Sequence, residues 1–261
     1  MYDLETKIYQ EALKIVALSP GIKNYIQKTS PNSEIFLIPN FCDNDFFSPI
    51  RKEVNPVMSV GLKERFTISY TGAMGKINAL EELIYLAQEA QNQSKCWQFI
   101  LMGKGAKEQD LKLLCESLSL KNVKFIAHGN KFQVREVLAA SDMAFISFEH
   151  FPVLETNSPN KFFDALAMGL GIVINQKGWI HDLVIKHRLG IFHDPTDPKK
   201  TVQQLELLAA DAKYLNLTKK RSREVALQHF SKELAIKNLL IILDPEGFKP
   251  STIDGAYIPT V

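Results

Sequence analysis

The sequence has little cysteine. Cys42, Cys96 and Cys115 are the only three in 261 residues, odd in number and without metal-ligand spacing. They read as reduced thiols in a cytosolic protein and argue against a disulfide framework or a metal centre. Long apolar runs are missing too. None approaches the roughly 18 residues of a membrane span, and the start MYDLETKIYQEALK has no apolar signal core. An excess of one charge is also lacking: 31 Lys and Arg against 29 Asp and Glu leave +2, too little to indicate nucleic acid as a partner. The one basic run, TKKRSRE at 218–224, reads as a solvated helix face. Finally, His128, His150, His181, His187 and His193 are scattered without a Ser or Cys nucleophile motif, so surface or hydrogen-bonded structural roles are the default for them.

What is present is an ordinary globular composition, 46% hydrophobic and 23% charged, enough for a sizeable core in one or two units. Compact apolar runs alternate with helical periodicity. EIFLIPN, FTISYTG, WQFILMG, NVKFIAHG, MAFISF, GIVIN and LGIFHDP read mostly as buried parallel strands. Between them Leu80, Leu83, Ile84 and Ala87, then Leu111, Leu114, Cys115 and Leu118, recur at helical spacing. The predicted fold class is α/β, a doubly wound parallel sheet. Ligands of such sheets bind beyond the carboxyl ends of the strands, where TGAMGK, MGKGAK, HGNK and ETNSPNK all fall.

Two of these loops fail as familiar motifs. TGAMGK has two residues between its glycines, and no hydroxyl residue follows Lys76, so it is not a Walker loop. MGKGAK lacks a third glycine and a following ribose-binding acid, which disfavours a nicotinamide dinucleotide site. The fourth loop opens a helix. Ser158 reads as its N-cap and Pro159 as its first residue, with outward amides beside them. Lys161 then opposes the helix dipole, which ordinarily favours a cation at the other end. It is either a solvated lysine on a well-capped helix or part of an anion site.

Taken in order, IPNFCDNDFFSP, SYTGAMGKINALEEL, ILMGKGAKEQDL, NVKFIAHGNK, VLAASDMAFISF, ETNSPNKFFDALAMGLGIVIN and LGIFHDP resemble the donor-binding half of GT-B glycosyltransferases of family 4. The SPNKFFDALAMG form most resembles bacterial enzymes of polysaccharide and O-antigen assembly, including the N-acetylfucosaminyl transferase type. The resemblance implies a Rossmann-like C-terminal domain of a GT-B fold over 34–243. Residues 1–33 would be the end of an acceptor domain and its linker, and 244–261 an irregular tail. It implies a nucleotide sugar, UDP-linked in preference to GDP-linked, as donor, a saccharide or lipid-linked saccharide as acceptor, transfer with retention, and no metal or other cofactor.

For the site, the resemblance places the diphosphate at the helix N-terminus, among Ser158, Asn160 and Lys161, with Gly72 and Lys76 on the opposite side. Gly129 and Asn130 would neighbour the base, and Asp164 would hold the ribose hydroxyls. Two glutamates eight residues apart are common in the family. Eight before Asp164 stands Thr156, with Glu155 one place off, so Glu155 and Lys161 are the candidate catalytic residues. The usual arginine of the first loop is Ala73, and Asn78 stands opposite a common lysine unless the loop is shorter and Lys76 replaces it, a loss of charge for which Lys161 compensates on this reading. Only a short segment precedes the first matched strand, so a full enzyme would need a further acceptor domain, in the same chain or as a separate polypeptide. Its place would be the cytoplasm or the inner face of the cytoplasmic membrane. A GT-B-fold UDP-sugar 2-epimerase and a non-catalytic nucleotide-sugar-binding module are the alternatives.

Overall fold

The computed structural model describes residues 2–49 and 65–247. Six parallel strands form the main sheet: β3 (Thr67–Thr71), β4 (Gln98–Gly103), β5 (Val123–Ala127), β6 (Met143–Ile146), β7 (Gly171–Ile174) and β8 (Gly190–Phe192). Their spatial order is β5-β4-β3-β6-β7-β8. The chain thus runs outward from β3 through β4 to β5, then crosses back to start again at β6 beside β3. That reversal opens a crevice beyond the strand ends.

Every central strand is buried on both faces, which explains the unbroken apolar runs. Ile68, Tyr70, Phe99, Leu101, Met143, Phe145 and Val173 join one core cluster. Their alternates Ala144, Ile146, Ile172 and Ile174 join another, and Ile100 and Met102 a third. The first cluster is covered by α3 (Leu80–Asn92), α4 (Glu108–Ser117) and α8 (Pro198–Ala210). The opposite face takes α5 (Lys131–Ala139), α6 (Asn160–Ala167), α7 (Trp179–Lys186) and α9 (Ala212–His229). The periodic residues of the two sequence helices do face inward: Leu80, Leu83, Ile84, Ala87, Leu111 and Cys115 are buried, and Leu114 and Leu118 pack beside them.

The EIFLIPN run departs from expectation. It is the strand β2 (Ile35–Leu37), and it pairs in parallel with β1 (Ile15–Ala17) in a separate two-stranded sheet. The helices α1 (Tyr2–Glu11) and α2 (Pro20–Thr29) flank this pair, and Ala17, Ile26 and Ile35 form its own small core. A short apolar run specifies a strand but not its sheet. Lys14 Nζ donates to the Ile242 carbonyl of α10 (Lys232–Leu243), joining this unit to the last described helix. Residues 248–261 of the expected tail lie outside the described residues.

The basic run 218–224 also needs correction. It lies on α9, but Thr218 and Ser222 are buried. Lys219 Nζ meets Asp142 at 2.6 Å, and the Arg223 guanidinium donates to the backbone oxygens of Asn44, Phe47 and Ala167. Four of its seven residues are therefore structural. Lys220, paired at 3.7 Å with Glu224, stays in solvent. Among the described residues, no helix is long and apolar enough to cross a membrane.

Candidate functional site

The crevice at the sheet reversal has a volume of about 460 Å³, and three loops and two helices line it, α5 through Val134. Gly72 and Ala73 follow β3, Gly103 and Lys104 close β4, His128 and Gly129 follow β5, and Asn160, Lys161 and Asp164 come from α6. The two glycine loops interlock. Gly72 N donates to Met102 O and Met74 N to Lys104 O, both at 2.9 Å. Gly72 and Gly103 hold φ of +151° and +155°, and a Cβ on Gly103 would overlap the Gly72 carbonyl. Only glycine permits that backbone and that approach. The G-x-G of MGKGAK is thereby explained by packing against the neighbouring loop.

The start of α6 differs from the sequence expectation. The capping position is Pro159, not Ser158, the first helical residue is Asn160, and no side chain caps the first turn. Ser158 is engaged elsewhere: its carbonyl accepts from Asn40 Nδ2 at 2.5 Å and its hydroxyl from Asn40 N at 3.4 Å. The first turn thus faces the crevice without a capping oxygen, an arrangement that suits an anion.

Lys161 is neither solvated nor free. Its Nζ donates to the Tyr70 hydroxyl at 2.8 Å and to Asn78 Oδ1 at 3.2 Å. It lies 4.3 Å from the centroid of the Tyr70 ring and 4.8 Å from that of Phe148. Tyr70 donates its own proton to the Ala73 carbonyl at 2.6 Å, which leaves its oxygen to accept from the lysine. Burial pushes the ammonium down from its usual 10.5 to about 7. Cation–π contact offsets part of the desolvation, yet no carboxylate pairs with the charge at salt-bridge distance among the described residues. An anion entering the crevice would supply that partner.

Asp164 projects from the same helix between the buried Phe162 and Leu166. Burial raises its carboxyl from 3.8 to about 6, with Lys131 lowering it and Asp43 raising it further. It lines the crevice and also a second cavity of about 510 Å³, walled by Phe41, Asp43 and Lys131.

Of the residues singled out in the sequence, Gly72, Gly129, Asn160, Lys161 and Asp164 share this one crevice. Four stand apart. Lys76 is exposed on a 3-10 turn over Lys76–Asn78. Asn130 is occupied as the N-cap of α5, its Oδ1 accepting from Phe132 N and Gln133 N in a capping box. Ser158 is bound to Asn40. Glu155 is exposed on a 3-10 turn over Pro152–Thr156, its backbone packed against Gly178. Tyr70, Phe148 and Lys104 were not singled out by the sequence, and His128, given a surface or structural role there, lines the crevice. Tyr70 and Phe148 look like core aromatics there, and only the tertiary meeting with Lys161 reveals their second use.

A family model described as "Glycosyl transferases group 1" matches residues 59–225. No curated protein matches the sequence. Among solved structures, the sucrose-phosphate synthase of Thermosynechococcus elongatus aligns at 18% identity and TM-score 0.79, over 94% of this chain and 61% of that one. The Anabaena protein HepE in complex with UDP and glucose aligns at 16% identity and TM-score 0.77, over 94% of this chain and 66% of that one. The C-terminal domain of LpcC, a glycosyl transferase group 1 family protein from Francisella tularensis, gives 13% identity and TM-score 0.62, over 73% of this chain and 98% of that domain. The chain thus spans less than two thirds of the first two and nearly all of an isolated C-terminal domain. At these identities the neighbours show a shared α/β GT-B fold, while the family match covers most of the sequence: the chain belongs to the glycosyl transferases group 1 family.

Proposed function

We propose that this chain is the donor-nucleotide half of a family 4 GT-B glycosyltransferase and that the crevice holds a UDP-sugar. The diphosphate would lie between the Gly72 loop and the first turn of α6, against Lys161. The ribose hydroxyls would reach Asp164, and the base would lie by Gly129. The observation that carries this reading is the convergence of an uncapped helix start, a glycine backbone and an unpaired buried ammonium on one crevice. UDP in the HepE structure supports uridine over guanosine.

The chemistry follows from charge. As the bond from the anomeric carbon to the diphosphate breaks, negative charge grows on the leaving oxygens. Fixed amides and an ammonium stabilise that charge without reorganising. With retention, the departing diphosphate takes the acceptor's proton, so the donor half supplies electrostatic stabilisation more than a base. The acceptor would be a saccharide or lipid-linked saccharide of polysaccharide assembly, of the kind handled by N-acetylfucosaminyl transferases. It would be presented by an acceptor domain, at the inner face of the membrane when lipid-linked. The expected boundary between 33 and 34 would move past β2, so that the small β1–β2 unit, up to Leu37, is the end of the acceptor side and the chain from there to 243 the donor domain. Glu155 and Lys76 are exposed and outside the crevice lining, so this reading gives the donor contacts to Gly72, Lys161 and Asp164. Competition calorimetry with UDP and GDP tests the donor assignment: UDP should bind more tightly, and a preference for GDP would reassign the nucleotide.

A further inference from the structure

A buried polar cluster stands beside the crevice without lining it. Glu82, in the first turn of α3, keeps only 14% of its side chain exposed. Its Oε2 accepts from Asn175 Nδ2 at 2.8 Å, and its Oε1 lies 2.7 Å from His150 Nε2. His193 Nε2 is 3.9 Å from the same carboxyl, while His193 Nδ1 meets Thr201 Oγ1 at 2.9 Å. Burial pushes His193 down to about 4 and raises Glu82 above the usual carboxylate range. His193 is therefore neutral near pH 7 and brings Glu82 no charge.

What this cluster holds is backbone. Asn175 Oδ1 accepts from Phe148 N at 3.1 Å, and its Nδ2 donates to Phe148 O at 3.0 Å. Ser147 Oγ donates to Asn78 O at 2.6 Å, and Glu149 N to Ile77 O at 2.9 Å. Residues 147–150 are thereby strapped to the 3-10 turn and to α3. Strap and turn also hold Lys161, through the Phe148 ring and Asn78 Oδ1. A carboxyl this buried costs desolvation that an apolar residue would not. Its contacts go to the strap and to the side chain that clamps it.

We propose that Glu82 is a positioning residue for nucleotide binding: through Asn175 and His150 it fixes the 147–150 strap, and strap and turn together aim Lys161 at the crevice. The inference rests on the reading of that crevice as a diphosphate site. Glu82 touches no ligand itself. Its effect on binding passes through Phe148 and Asn78 to Lys161.

The test compares Glu82→Ala and Glu82→Gln with the unsubstituted protein. It reads UDP and UMP affinity by calorimetry and the Lys161 titration by NMR of 15N-labelled lysine side chains. Glu82→Ala should weaken UDP about tenfold, the loss of one charged hydrogen bond, and UMP about threefold at most. The Lys161 midpoint should rise toward the ordinary lysine value as the loosened strap admits water. Glu82→Gln, which keeps an acceptor for Asn175, should restore most of both. Equal losses for UDP and UMP, or an unmoved Lys161 midpoint, would overturn the proposal and leave Glu82 as fold support. Should Glu82→Ala fail to fold, His150→Ala removes a half-exposed partner of the same carboxyl. That variant should weaken UDP about threefold and spare UMP, and no change would be equally fatal. If the unsubstituted protein does not prefer UDP to UMP, the diphosphate reading fails, while the Lys161 titration still decides the role of Glu82.

Discussion

Lys161 Nζ lies 2.8 Å from the Tyr70 hydroxyl while that hydroxyl donates to the Ala73 carbonyl, so a lysine of α6 and the glycine loop after β3 share one tyrosine. The two walls of the crevice are therefore tied across the point where the sheet reverses. Lys161 also stands against the loop carrying Gly72, whose Cβ, if it had one, would lie 3.6 Å from Lys161 Cε.

Replacing Lys161 with Met keeps the apolar stem against Tyr70 and Phe148 and removes the charge. UDP affinity should fall by about 1.5 to 3 kcal/mol, the range for a charged hydrogen bond. Lys107→Ala should have little effect, because Lys107 is committed to Glu81 at 2.9 Å and lies outside the crevice lining. Calorimetry on the two variants checks this, and equal small effects would remove Lys161 from the site.

The pH dependence of stability has a defined sign. Lys161 titrates at about 7 when folded against 10.5 in its ordinary state, so between these values the unfolded chain binds the extra proton and stability rises with pH. Asp164 is shifted up, from 3.8 to about 6, so the folded chain binds the extra proton there and stability falls as pH rises through that window. The melting temperature of the free protein should fall toward pH 6 and climb again above pH 7, and Lys161→Met should flatten the climb. UDP binding at pH 8 should take up protons, since a diphosphate favours the ammonium. Titrations in buffers of different ionisation enthalpy read that uptake directly.

Asp164→Asn separates binding from stability. Charged acceptance from the ribose hydroxyls should be lost, at about 1.5 to 3 kcal/mol of UDP affinity. The free protein should melt no lower at pH 8, and somewhat higher, because a carboxylate whose burial is unfavourable has been neutralised. A large drop in the melting temperature would make Asp164 a structural residue.

These expectations also show where the sequence stops being informative. The six strands of the main sheet and the buried faces of α3 and α4 were legible because periodicity is local. The start of α6 was misread by one residue, since Ser158 is drawn away by Asn40, which is 118 positions distant. Lys161 raised the right question through its charge, but its burial depends on Tyr70 and Phe148, which no spacing links to it. Glu82 gave no signal at all, because its partners Asn175 and His150 lie in loops far along the chain.

The interlocked loops can be tested by a pair of glycine substitutions. Gly103→Ala puts a Cβ into the Gly72 carbonyl at a positive φ and should cost about 1 to 3 kcal/mol or more of stability, with loss of UDP binding. At Gly75 the added carbon would stand 3.4 Å from Asn78 Nδ2, with no other atom within contact range. Gly75→Ala should be nearly neutral in urea unfolding. Similar costs at both positions would mean that loop packing does not distinguish them.

The most direct test is calorimetric titration of the chain with UDP and with UMP, in the presence of EDTA. In the proposed site the second phosphate would meet the first turn of α6, the Gly72 backbone and Lys161. UDP should bind without added metal, and at least about tenfold more tightly than UMP, or 1.4 kcal/mol. Equal affinity for the two nucleotides, or UDP binding only when a divalent cation is restored, would contradict a diphosphate site built from these residues.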